Sequence, residues 1–434
     1  MSLSHKIIKQ FIAFLLNCNI NSDIVSQIGY TCDESEFSQY KLVIVPSDFF
    51  ADSYYGLTQS MPTLPMKMLG ETPVLFGKTD IVKINNTLVV YADIIASSYF
   101  LLSRYEELIN NKRDEYGRFQ EKNSVMNGML HRPIVDEYGK LLRSWLRDCN
   151  IDIAEPPQKI KKIYLTHDID IPYSYRTLRN LGGTFLKRKK EIIPALKTFF
   201  GKIENDPVFT FPYILEQNKR LQNELEIPVE TIFFIKSKKY KEYYDKPYYN
   251  LQSKDIQYII SLINQSDSKI GLHTSYSAGN NAQLIVNEKK LLQNCVKQPI
   301  IYNRYHFLRT NNSQDMYYFL SAGITDDFSV GYTDTAGFRL GTTRPVNWIN
   351  LKTKEFNNDI TLHSLTIMDR TLTDKKYMNL NYELAFNYAT ELINQVKKHN
   401  GELVLLWHNQ IFASTEKFNH KKFYSELLEY IKNI

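Results

Sequence analysis

The second part of the chain alternates apolar, strand-like runs with helix-like stretches, and this pattern most restricts the possible folds. Seven such runs follow one another: KKIYLTH, VETIFFI, KIGLH, PIIYNRYHF, GITDDFS, DITLHSLTIMD and ELVLLWH. A strand, a helical crossover and another strand, repeated along a chain, are typical of a parallel sheet with right-handed connections. Seven such units are enough to close a barrel. We therefore predict an α/β fold in which residues 161–434 form a seven-stranded (β/α) barrel.

The first 150 residues follow a different pattern, which mixes helices and strands. KLVIVPS predicts a buried strand, and IVKINNTLVVYA predicts a hairpin that turns at Asn85 and Asn86. An apolar helix is expected from Asp93 to Ile109. The segment IDIAEPPQKI has two prolines and no periodicity, as is typical of a linker. For 434 residues this predicts a smaller N-terminal α/β domain (1–150), a linker (151–160) and the barrel domain (161–434).

Composition and charge exclude several functional classes. The net charge of +6 comes without a dense basic region, which argues against nucleic acid as a partner. The four cysteines show no metal-finger or disulfide spacing, so a reducing, cytoplasmic setting is favoured. The helix HKIIKQFIAFLLNC is too short in its apolar core for a signal peptide, and no later segment reaches membrane-spanning length. The basic stretch FLKRKKEIIPALKTFFGK is compatible with peripheral membrane contact, but most such stretches are solvated faces, so that contact is not expected.

Ionisable side chains follow six of the seven predicted strands. They are Asp168, Asp170, His273, Arg304, His306, Asp326, Asp327, Asp369 and His408. The carboxyl ends of barrel strands meet on one face, where loops direct side chains at a common centre, so the repetition indicates a functional cluster. Paired carboxylates such as Asp168 and Asp170 most often serve a metal ion, a proton transfer or both. His167 lies one position out of phase and is expected in the barrel wall, and His363 is expected in the core.

Five of these segments, in this order, resemble the motifs of the polysaccharide deacetylase superfamily, the proteins with a NodB-homology domain. The segments are THDID, GLHTSYS, YNRYHFLR, DDFSVGYTDTAGFRLGTTRP and LLWHN. The resemblance covers residues from Ile163 to the C-terminus. It is strongest to a bacterial branch in which an N-terminal α/β domain of unknown function, with LLSRYEE and YGRF, precedes the barrel. It implies a deformed (β/α) barrel of the NodB-homology type.

The resemblance also implies roles for individual residues. Asp168 corresponds to the catalytic base, Asp170 and His273 to metal ligands, and His408 to the acid that protonates the leaving amine. Arg304 or Arg309 is expected to orient Asp168, and Asp327 belongs to the expected catalytic set. Residues expected to bind substrate are Arg309, Arg339, Tyr276 and Trp407. The implied cofactor is a divalent metal, zinc first and cobalt or nickel next. The implied substrate is an N-acetylated carbohydrate, a precursor of a bacterial surface polysaccharide.

One position departs from the family pattern. Many relatives have a second histidine four residues after the first, whereas this chain has Ser277, and a neutral hydroxyl is a poor ligand for zinc-like ions. His306 is the natural substitute as a third ligand, and its alternative is a hydrogen-bonded place in the barrel wall. The substitution leaves open a degenerate barrel that binds glycans without turnover. An O-deacetylase would use the same residues and cannot be separated from an N-deacetylase by sequence.

Overall fold

The structure is a computed structural model that describes residues 3–176, 181–182, 192–237, 242–310, 313–413 and 418–434. Within these ranges we find no helix with the length and apolar character that a membrane span requires. Residues 185–191 of the basic stretch 185–202 lie outside the part of the chain that the structure describes. Two main sheets organise the chain, one formed by residues 28–92 and a larger one formed by residues 162–406.

The smaller sheet belongs to the first part of the chain. Strands there are β1 (Ile28–Tyr30), β2 (Leu42–Ile44), β3 (Lys67–Leu69), β4 (Thr72–Val74), β5 (Gly77–Ile84) and β6 (Thr87–Ala92). The sheet has the order β1-β2-β6-β5, and β3 and β4 form a separate two-stranded ribbon. β5 and β6 form the predicted antiparallel hairpin, in which Asn85 adopts the left-handed conformation (φ 55°) that such tight turns favour. β2 is the predicted buried strand.

Five helices accompany this sheet. They are α1 (His5–Leu16), α2 (Asp23–Ser26), α3 (Ile94–Leu102), α4 (Glu106–Ile109) and α5 (Ile134–Asp148). Asp93 caps α3 by accepting a hydrogen bond from the backbone N of Ala96 at 2.9 Å. The single helix predicted from Asp93 to Ile109 is interrupted at Arg104, whose backbone is left-handed (φ 56°). The interruption lets Arg104 turn its guanidinium toward Glu107.

The larger sheet is curled and has nine strands. They are β7 (Lys162–Ile169), β8 (Val229–Ile235), β9 (Lys269–Thr274), β10 (Tyr302–Tyr305), β11 (Asp326–Asp327), β12 (Val346–Ile349), β13 (Phe356–Leu362), β14 (Ile367–Met368) and β15 (Glu402–Leu406). The order is β12-β13-β11-β10-β9-β8-β7-β15-β14. Every neighbouring pair is parallel except β12 with β13. Because the strands are parallel, the ends of β7, β9, β10 and β15 all point to one edge of the sheet.

The described sheet therefore has two more strands than the sequence predicts. The run DITLHSLTIMD contributes to both β13 and β14, because the residues between them leave the sheet and cross the open side of the barrel. There the backbone N of Leu365 donates to Val330 O at 2.8 Å, and that of Thr366 donates to Val404 O at 3.1 Å. The short antiparallel strand β12 directly follows Pro345, and its four residues carry too little periodicity for prediction. The result is a half-barrel bridged by this crossing segment.

Eight helices with described bounds surround the large sheet. They are α6 (Ile192–Phe200), α7 (Phe211–Glu224), α8 (Lys254–Gln265), α9 (Ala282–Val296), α10 (Met316–Ala322), α11 (Asp369–Thr373), α12 (Tyr382–Lys398) and α13 (His420–Lys432). Local sequence signals determine where several of these helices begin or end. Asn281 caps α9 and Asn381 caps α12 through side-chain oxygens that accept backbone N–H groups, and Gly323 (φ 63°) ends α10.

The concave side of the curled sheet has its own apolar cluster. Its buried members are Tyr164, Ile232, Phe234, Leu308, Phe328, Leu365, Met368, Val404 and Leu406. Since alternate residues of a strand face opposite sides, the remaining strand residues pack outward against the helices. The floor of the half-barrel is therefore closed by side chains, and the edge at the carboxyl ends of the strands is open to polar groups such as Asp168 and Asp170.

Buried ion pairs connect the first part of the chain to the half-barrel. Arg339, which follows β11, donates to Glu107 Oε1 from Nη2 at 2.7 Å and from Nε at 3.1 Å. Arg344 donates from Nε to Asp136 Oδ1 at 3.0 Å. Both arginines lie in the GFRLGTTR segment. Its two positive charges therefore fasten the first part of the chain to the half-barrel.

Candidate metal centre

The segment THDID at the end of β7 distributes its ionisable residues over two faces. Asp168 and Asp170 face the concave side, whereas His167 faces the helices, as the alternation of a strand requires. Nδ1 of His167 lies 2.8 Å from Trp407 O, and Nε2 lies 2.9 Å from Asn218 Nδ2. Burial lowers the pKa of His167 to about 4, so this ring is neutral at physiological pH. His167 therefore lies in the barrel wall, where the sequence predicts it.

Asp170, His273 and His306 bring three ligand atoms within 4.8 Å of one another. Nε2 of His306 lies 3.2 Å and Nε2 of His273 lies 3.4 Å from Asp170 Oδ1. Nδ1 of His273 is 2.9 Å from the carbonyl oxygen of Arg304, which can only accept, so Nδ1 carries the hydrogen. In the neutral ring, Nε2 then presents a lone pair to a carboxylate oxygen.

Two acceptors facing each other need a cation between them. His273 Nε2 and Asp170 Oδ1 are both buried and have no hydrogen-bond partner in the described structure. Burial alone would raise the pKa of Asp170, but His306, Lys236 and His273 hold it well below its usual range, so this ligand is ionised. Two imidazoles and one carboxylate are a donor set that suits zinc, and three protein ligands leave a coordination position open. The residues present therefore fit a catalytic divalent metal.

Asp245, which sequence analysis missed, orients this centre. Its Oδ1 lies 3.4 Å from His306 Nδ1, and because a carboxylate accepts, His306 directs its Nε2 to Asp170. Oδ2 of Asp245 accepts the hydroxyl of Ser277 at 2.8 Å. Ser277 thus supports Asp245, and the imidazole of His306 lies at the cluster. The only sequence signal for Asp245 was an acid among the tyrosines of residues 242–250.

Lys236 is a second neighbour of Asp170 that the sequence did not reveal. It follows β8, is 5% exposed, and places Nζ 3.5 Å from Asp170 Oδ1 and 3.3 Å from Pro247 O. The ammonium adds positive potential beside the cluster, although Asp170 Oδ1 receives no hydrogen bond from it. The sequence placed Lys236 at the start of a lysine- and tyrosine-rich loop, of which residues 238–241 lie outside the described structure.

Arg304 holds Asp168 in place. Its Nη1 donates to Asp168 Oδ1 at 3.1 Å and to Thr166 Oγ1 at 2.7 Å, and its Nε donates to Phe328 O at 3.1 Å. The guanidinium is fully buried and lies over the ring of Phe234. Asp168 Oδ2 is 3.7 Å from His273 Nε2. A carboxylate thus lies beside the metal cluster, oriented by a cation that cannot lose its charge.

His408, which follows β15, approaches the cluster from the other side. Its Nε2 lies 3.7 Å from Asp170 Oδ2, and its Nδ1 lies 3.0 Å from Asp369 Oδ1. Asp369 also accepts the backbone N of His408 at 2.7 Å. Burial would lower the pKa of His408, but the charge and hydrogen bonds of Asp369, with Asp168 and Asp170, raise it to about 9. The imidazole is therefore protonated at neutral pH, with Nε2–H directed at the cluster.

A cavity of about 290 Å³ opens over these side chains. Its base is formed by Asp168, Asp170, His273, His306 and His408. Leu308, Met368 and Leu406 add an apolar wall, and polar side chains surround the rim: Arg118, Lys246, Thr333, Arg370, Tyr377 and Gln410. A polar base with an adjoining apolar wall can hold a small group that has one reactive carbonyl and one methyl.

The first part of the chain contributes to this cavity through its YGRF segment. Arg118 is 5% exposed, pairs with Asp114 at 2.7 Å, and lines the cavity near Tyr377. The ring of Tyr116 stacks on Phe307, with centroids 5.0 Å apart and planes 17° apart. In the sequence, YGRF was noted as a motif of the first part of the chain. The structure shows that this segment forms part of the cavity wall.

Asp327, expected in the catalytic set, lies elsewhere. Its carboxylate accepts from Asn303 Nδ2 at 2.9 Å, from Ser329 Oγ at 2.7 Å and from Ser329 N at 3.0 Å. Phe328, the next residue, faces the concave side, so Asp327 faces the helices by the alternation of the strand. Burial raises its pKa. The sequence placed Asp327 at the correct strand end, but only its side-chain direction decides whether it reaches the site.

The four residues expected to bind substrate do not line the described cavity. Arg309 donates to Tyr276 O at 2.8 Å and lies over the ring of Tyr276, behind the rim. Arg339 pairs with Glu107. Trp407 is 1% exposed and stacks against Phe423 of α13, because its position is out of phase with the concave face. These side chains therefore stabilise the surroundings of the site in this structure.

A family model matches residues 4–151, about a third of the chain, and is described as a family of unknown function, DUF7033. The comparison with curated proteins returns no match. Thus the family match concerns the first part of the chain, and the half-barrel with the metal centre lies outside it.

The solved structures that match this chain do so at low identity and with low TM-scores. A Mycobacterium smegmatis protein described as a candidate polysaccharide deacetylase is 13% identical, with a TM-score of 0.41, over 65% of this chain and 87% of that one. A CE4 family pseudoenzyme from Bacillus anthracis is 12% identical, with a TM-score of 0.30, over 65% of this chain and 66% of that one. A mutant of that pseudoenzyme with restored enzymatic activity matches equally, over 68% of its chain. The function proposed below therefore rests on the geometry of the site.

Proposed function

We propose that this protein is a metal-dependent hydrolase that removes N-acetyl groups from a carbohydrate, in the metabolism of a bacterial surface polysaccharide and in the cytoplasm. The observation that carries the proposal is the pair of unsatisfied acceptors, His273 Nε2 and Asp170 Oδ1, with Nε2 of His306 beside them. A divalent cation held there, zinc by preference, would polarise the acetyl carbonyl and lower the pKa of a water molecule. We assign the reaction to residues 161–434, with residues 1–150 as a smaller α/β domain.

The protein's own residues supply the two proton transfers of amide hydrolysis. Asp168, held by Arg304, is placed to accept the proton of the attacking water. His408, protonated through its contact with Asp369, is placed to donate a proton to the departing amine nitrogen. One water and one amide thus give acetate and a free amine. Leu308, Met368 and Leu406 offer an apolar wall for the acetyl methyl group.

The decisive experiment measures metal and acetate in the same preparations. Protein purified without chelator is expected to contain one divalent metal per chain and to release acetate from N-acetylglucosamine oligomers. The Asp170→Asn and His273→Ala variants should lose both properties, because each removes a ligand atom. His131→Ala is the matched control, since His131 belongs to the first part of the chain and does not line the cavity.

Each of the other outcomes would indicate a different function for this protein. Release of acetate from O-acetyl esters alone would indicate an O-deacetylase with the same residues. Stoichiometric metal and glycan binding, without acetate release under any added divalent metal, would indicate a degenerate glycan-binding barrel. Unchanged metal content in both ligand variants would mean that the centre is wrongly assigned.

A further inference from the structure

A second cavity, of about 190 Å³, lies between the first part of the chain and the half-barrel. Its wall combines the end of α1, one face of α5, the linker, the GFRLGTTR segment and the end of α12. Lys398 and His399 of its wall precede β15, whereas His408 of the metal centre follows that strand. The second cavity therefore lies at the amino end of β15, apart from the metal centre.

The charge of this cavity is positive. Its wall contains the cations Lys140, Arg143, Arg344 and Lys398, and the acids Asp136 and Glu155. Both carboxylates already accept hydrogen bonds from other groups of the protein. Asp136 accepts from Arg344 Nε at 3.0 Å and from the Thr343 backbone N at 2.7 Å, and Glu155 accepts from Arg143 Nε at 2.9 Å and from Arg147 Nη2 at 2.7 Å.

Several donors around the cavity are uncommitted. Lys140 and Lys398 form no ion pair with any described residue. Arg143 and Arg344 each use Nε and Nη1, Arg143 toward Glu155 and Leu15 O, and Arg344 toward Asp136 and Phe14 O. In the described part of the chain, Nη2 of each has no hydrogen-bond partner. Both arginines are buried: Arg143 is 4% exposed and Arg344 is 9% exposed.

His399 gives the independent indication of a ligand. It lines the cavity, is 7% exposed, and its Nε2 is buried without a hydrogen-bond partner in the described structure. A buried polar nitrogen without a partner is unfavourable, and native proteins rarely keep one unless a missing group satisfies it. The unsatisfied nitrogen belongs to a wall with four cations, and with its hydrogen on Nε2 it would donate to an acceptor that carries negative charge.

We propose that this cavity binds a small phosphate-bearing anion, either inorganic phosphate or the phosphate group of a small metabolite. A phosphate dianion matches the surplus of two positive charges, and its oxygens can accept from guanidinium, ammonium and imidazole donors together. The cavity has room for a phosphate group and a small substituent. The bound anion would connect α5 and the linker to α12, and thereby stabilise the joint between the first part of the chain and the half-barrel.

The test measures thermal unfolding of the full chain against phosphate at constant ionic strength, with chloride as the balancing salt. The Tm of the wild type should rise with phosphate and saturate, because a ligand that binds only the folded state stabilises it. The Lys140→Met/Lys398→Met double variant should need at least about tenfold more phosphate for the same rise. Lys397→Met is the control, since Lys397 is in the same helix but does not line the cavity.

Two further arms separate the sources of the effect. Asp170→Asn protein should keep the phosphate response, which excludes binding at the metal centre. Glucose 6-phosphate that acts at lower concentration than phosphate, with glucose inert, would identify a metabolite, and the reverse order would identify free phosphate. The proposal fails if wild-type Tm shows no saturable response to either phosphate compound, or if the lysine double variant responds like wild type.

Discussion

Asp168 and His408 stand on either side of the metal cluster, and their contacts differ in kind. Asp168 receives a hydrogen bond from a permanently charged arginine, whereas His408 is bonded through Nδ1 to a carboxylate. The first arrangement favours a carboxylate that accepts a proton, and the second favours an imidazolium that donates one. The two residues therefore have opposite expected roles in the same turnover.

Asp168→Asn and His408→Ala should each lower acetate release by about 10²–10⁴-fold, because each removes one proton-transfer group. Asparagine keeps an oxygen that can accept from Arg304, so the fold is expected to persist, as circular dichroism and thermal melting would show. Metal content should remain at one per chain in both variants. Activity within threefold of wild type in either variant would mean that another group transfers that proton.

The pH profile gives a second measurement of the same roles. Activity that needs protonated His408 should fall as pH rises through its pKa, about 9 without a cation. A cation at Asp170 would move this midpoint down, because it cancels part of the negative charge that raises the pKa. His408→Ala should lose the alkaline limb of the profile.

At the residue scale, side chains were assigned to the site from the strand end that each one follows and from the alternation of residues between the two faces of the strand. Asp168, Asp170, His273 and His408 each follow a clear apolar strand, and the structure places them at one cavity, while their roles stay a prediction. The sequence did not indicate Asp245 and Lys236, since each reaches the cluster from a loop whose path depends on tertiary contacts. Asp327 and Trp407 were assigned to the site because they neighbour motif residues. A shift of one position in a strand turns such a side chain to the opposite face.

At the scale of elements, His363 connects three strands of the half-barrel. It directly follows β13, and its Nε2 lies 3.0 Å from Asp326 Oδ1 of β11, while Nδ1 lies 2.9 Å from Glu402 Oε2 of β15. The ring stacks on Phe328 with centroids 4.5 Å apart. Burial would lower the pKa of His363, but the two carboxylates raise it above its usual value.

This contact should make stability depend on pH. Because the folded pKa is the higher one, the stabilisation by charged His363 is complete below the unfolded value, about 6.5, and is lost as pH rises through the folded pKa. The free energy of urea unfolding should therefore fall between pH 6 and pH 9. His363→Gln should be less stable at pH 6 and show a smaller fall. Since His408 also titrates, the readout is the difference between the two proteins; equal falls would contradict the prediction.

The elements themselves were only partly predictable. Long apolar runs identified the strands from β7 to β10 and β15, because these have flanking helices and buried residues on both faces. The predicted strand DITLHSLTIMD breaks after β13, since residues 363–366 bond to Val330 and Val404 across the barrel, and such distant partners leave no local signal. The break at Arg104 in the predicted helix also involves a partner distant in sequence, because Arg104 Nη2 donates to Thr310 Oγ1 at 2.8 Å as well as to Glu107.

For the whole molecule, Glu107 joins the first part of the chain to the half-barrel. It is 3% exposed and accepts hydrogen bonds from Arg104 and Arg339. Burial would raise the pKa of Glu107, but the two guanidiniums lower it to about 2. Its stabilising contribution is thus complete above the unfolded pKa, about 4.3, and is lost as pH falls toward 2.

Glu107→Gln should destabilise the protein by about 3–5 kcal/mol at pH 7, because two arginines would remain buried without their counter-charge. The loss should shrink as pH falls from about 4.3 toward 2, because Glu107 of the unfolded chain is then protonated while Glu107 of the folded protein begins to be. Urea unfolding at about pH 7 and about pH 3 measures both effects. Glu115→Gln is the control, since Glu115 is exposed and pairs with exposed Lys376, and little change is expected. A Glu107→Gln variant as stable as wild type would show that the contact between Glu107 and the two arginines does not stabilise the protein.

The division at the linker remains a prediction, and composition indicated it through two prolines and lost periodicity. What composition could not indicate is how closely the two parts contact each other. The LLSRYEE and GFRLGTTR segments were noticed as motifs, and the structure pairs them through Glu107 and Arg339. Charge pairing between segments more than 200 residues apart has no signature in a single sequence.

The position of Arg118 in the cavity wall has a consequence for how such a chain can diverge. Recombination that exchanged the first 150 residues would also exchange one wall of the cleft and the aromatic contact between Tyr116 and Phe307. The two parts would then have to be inherited together, and adaptation to a bulkier or smaller ligand could begin in either of them. Altered specificity would be recorded as paired changes in residues 114–119 and 307–308, before any residue of the candidate metal centre changed.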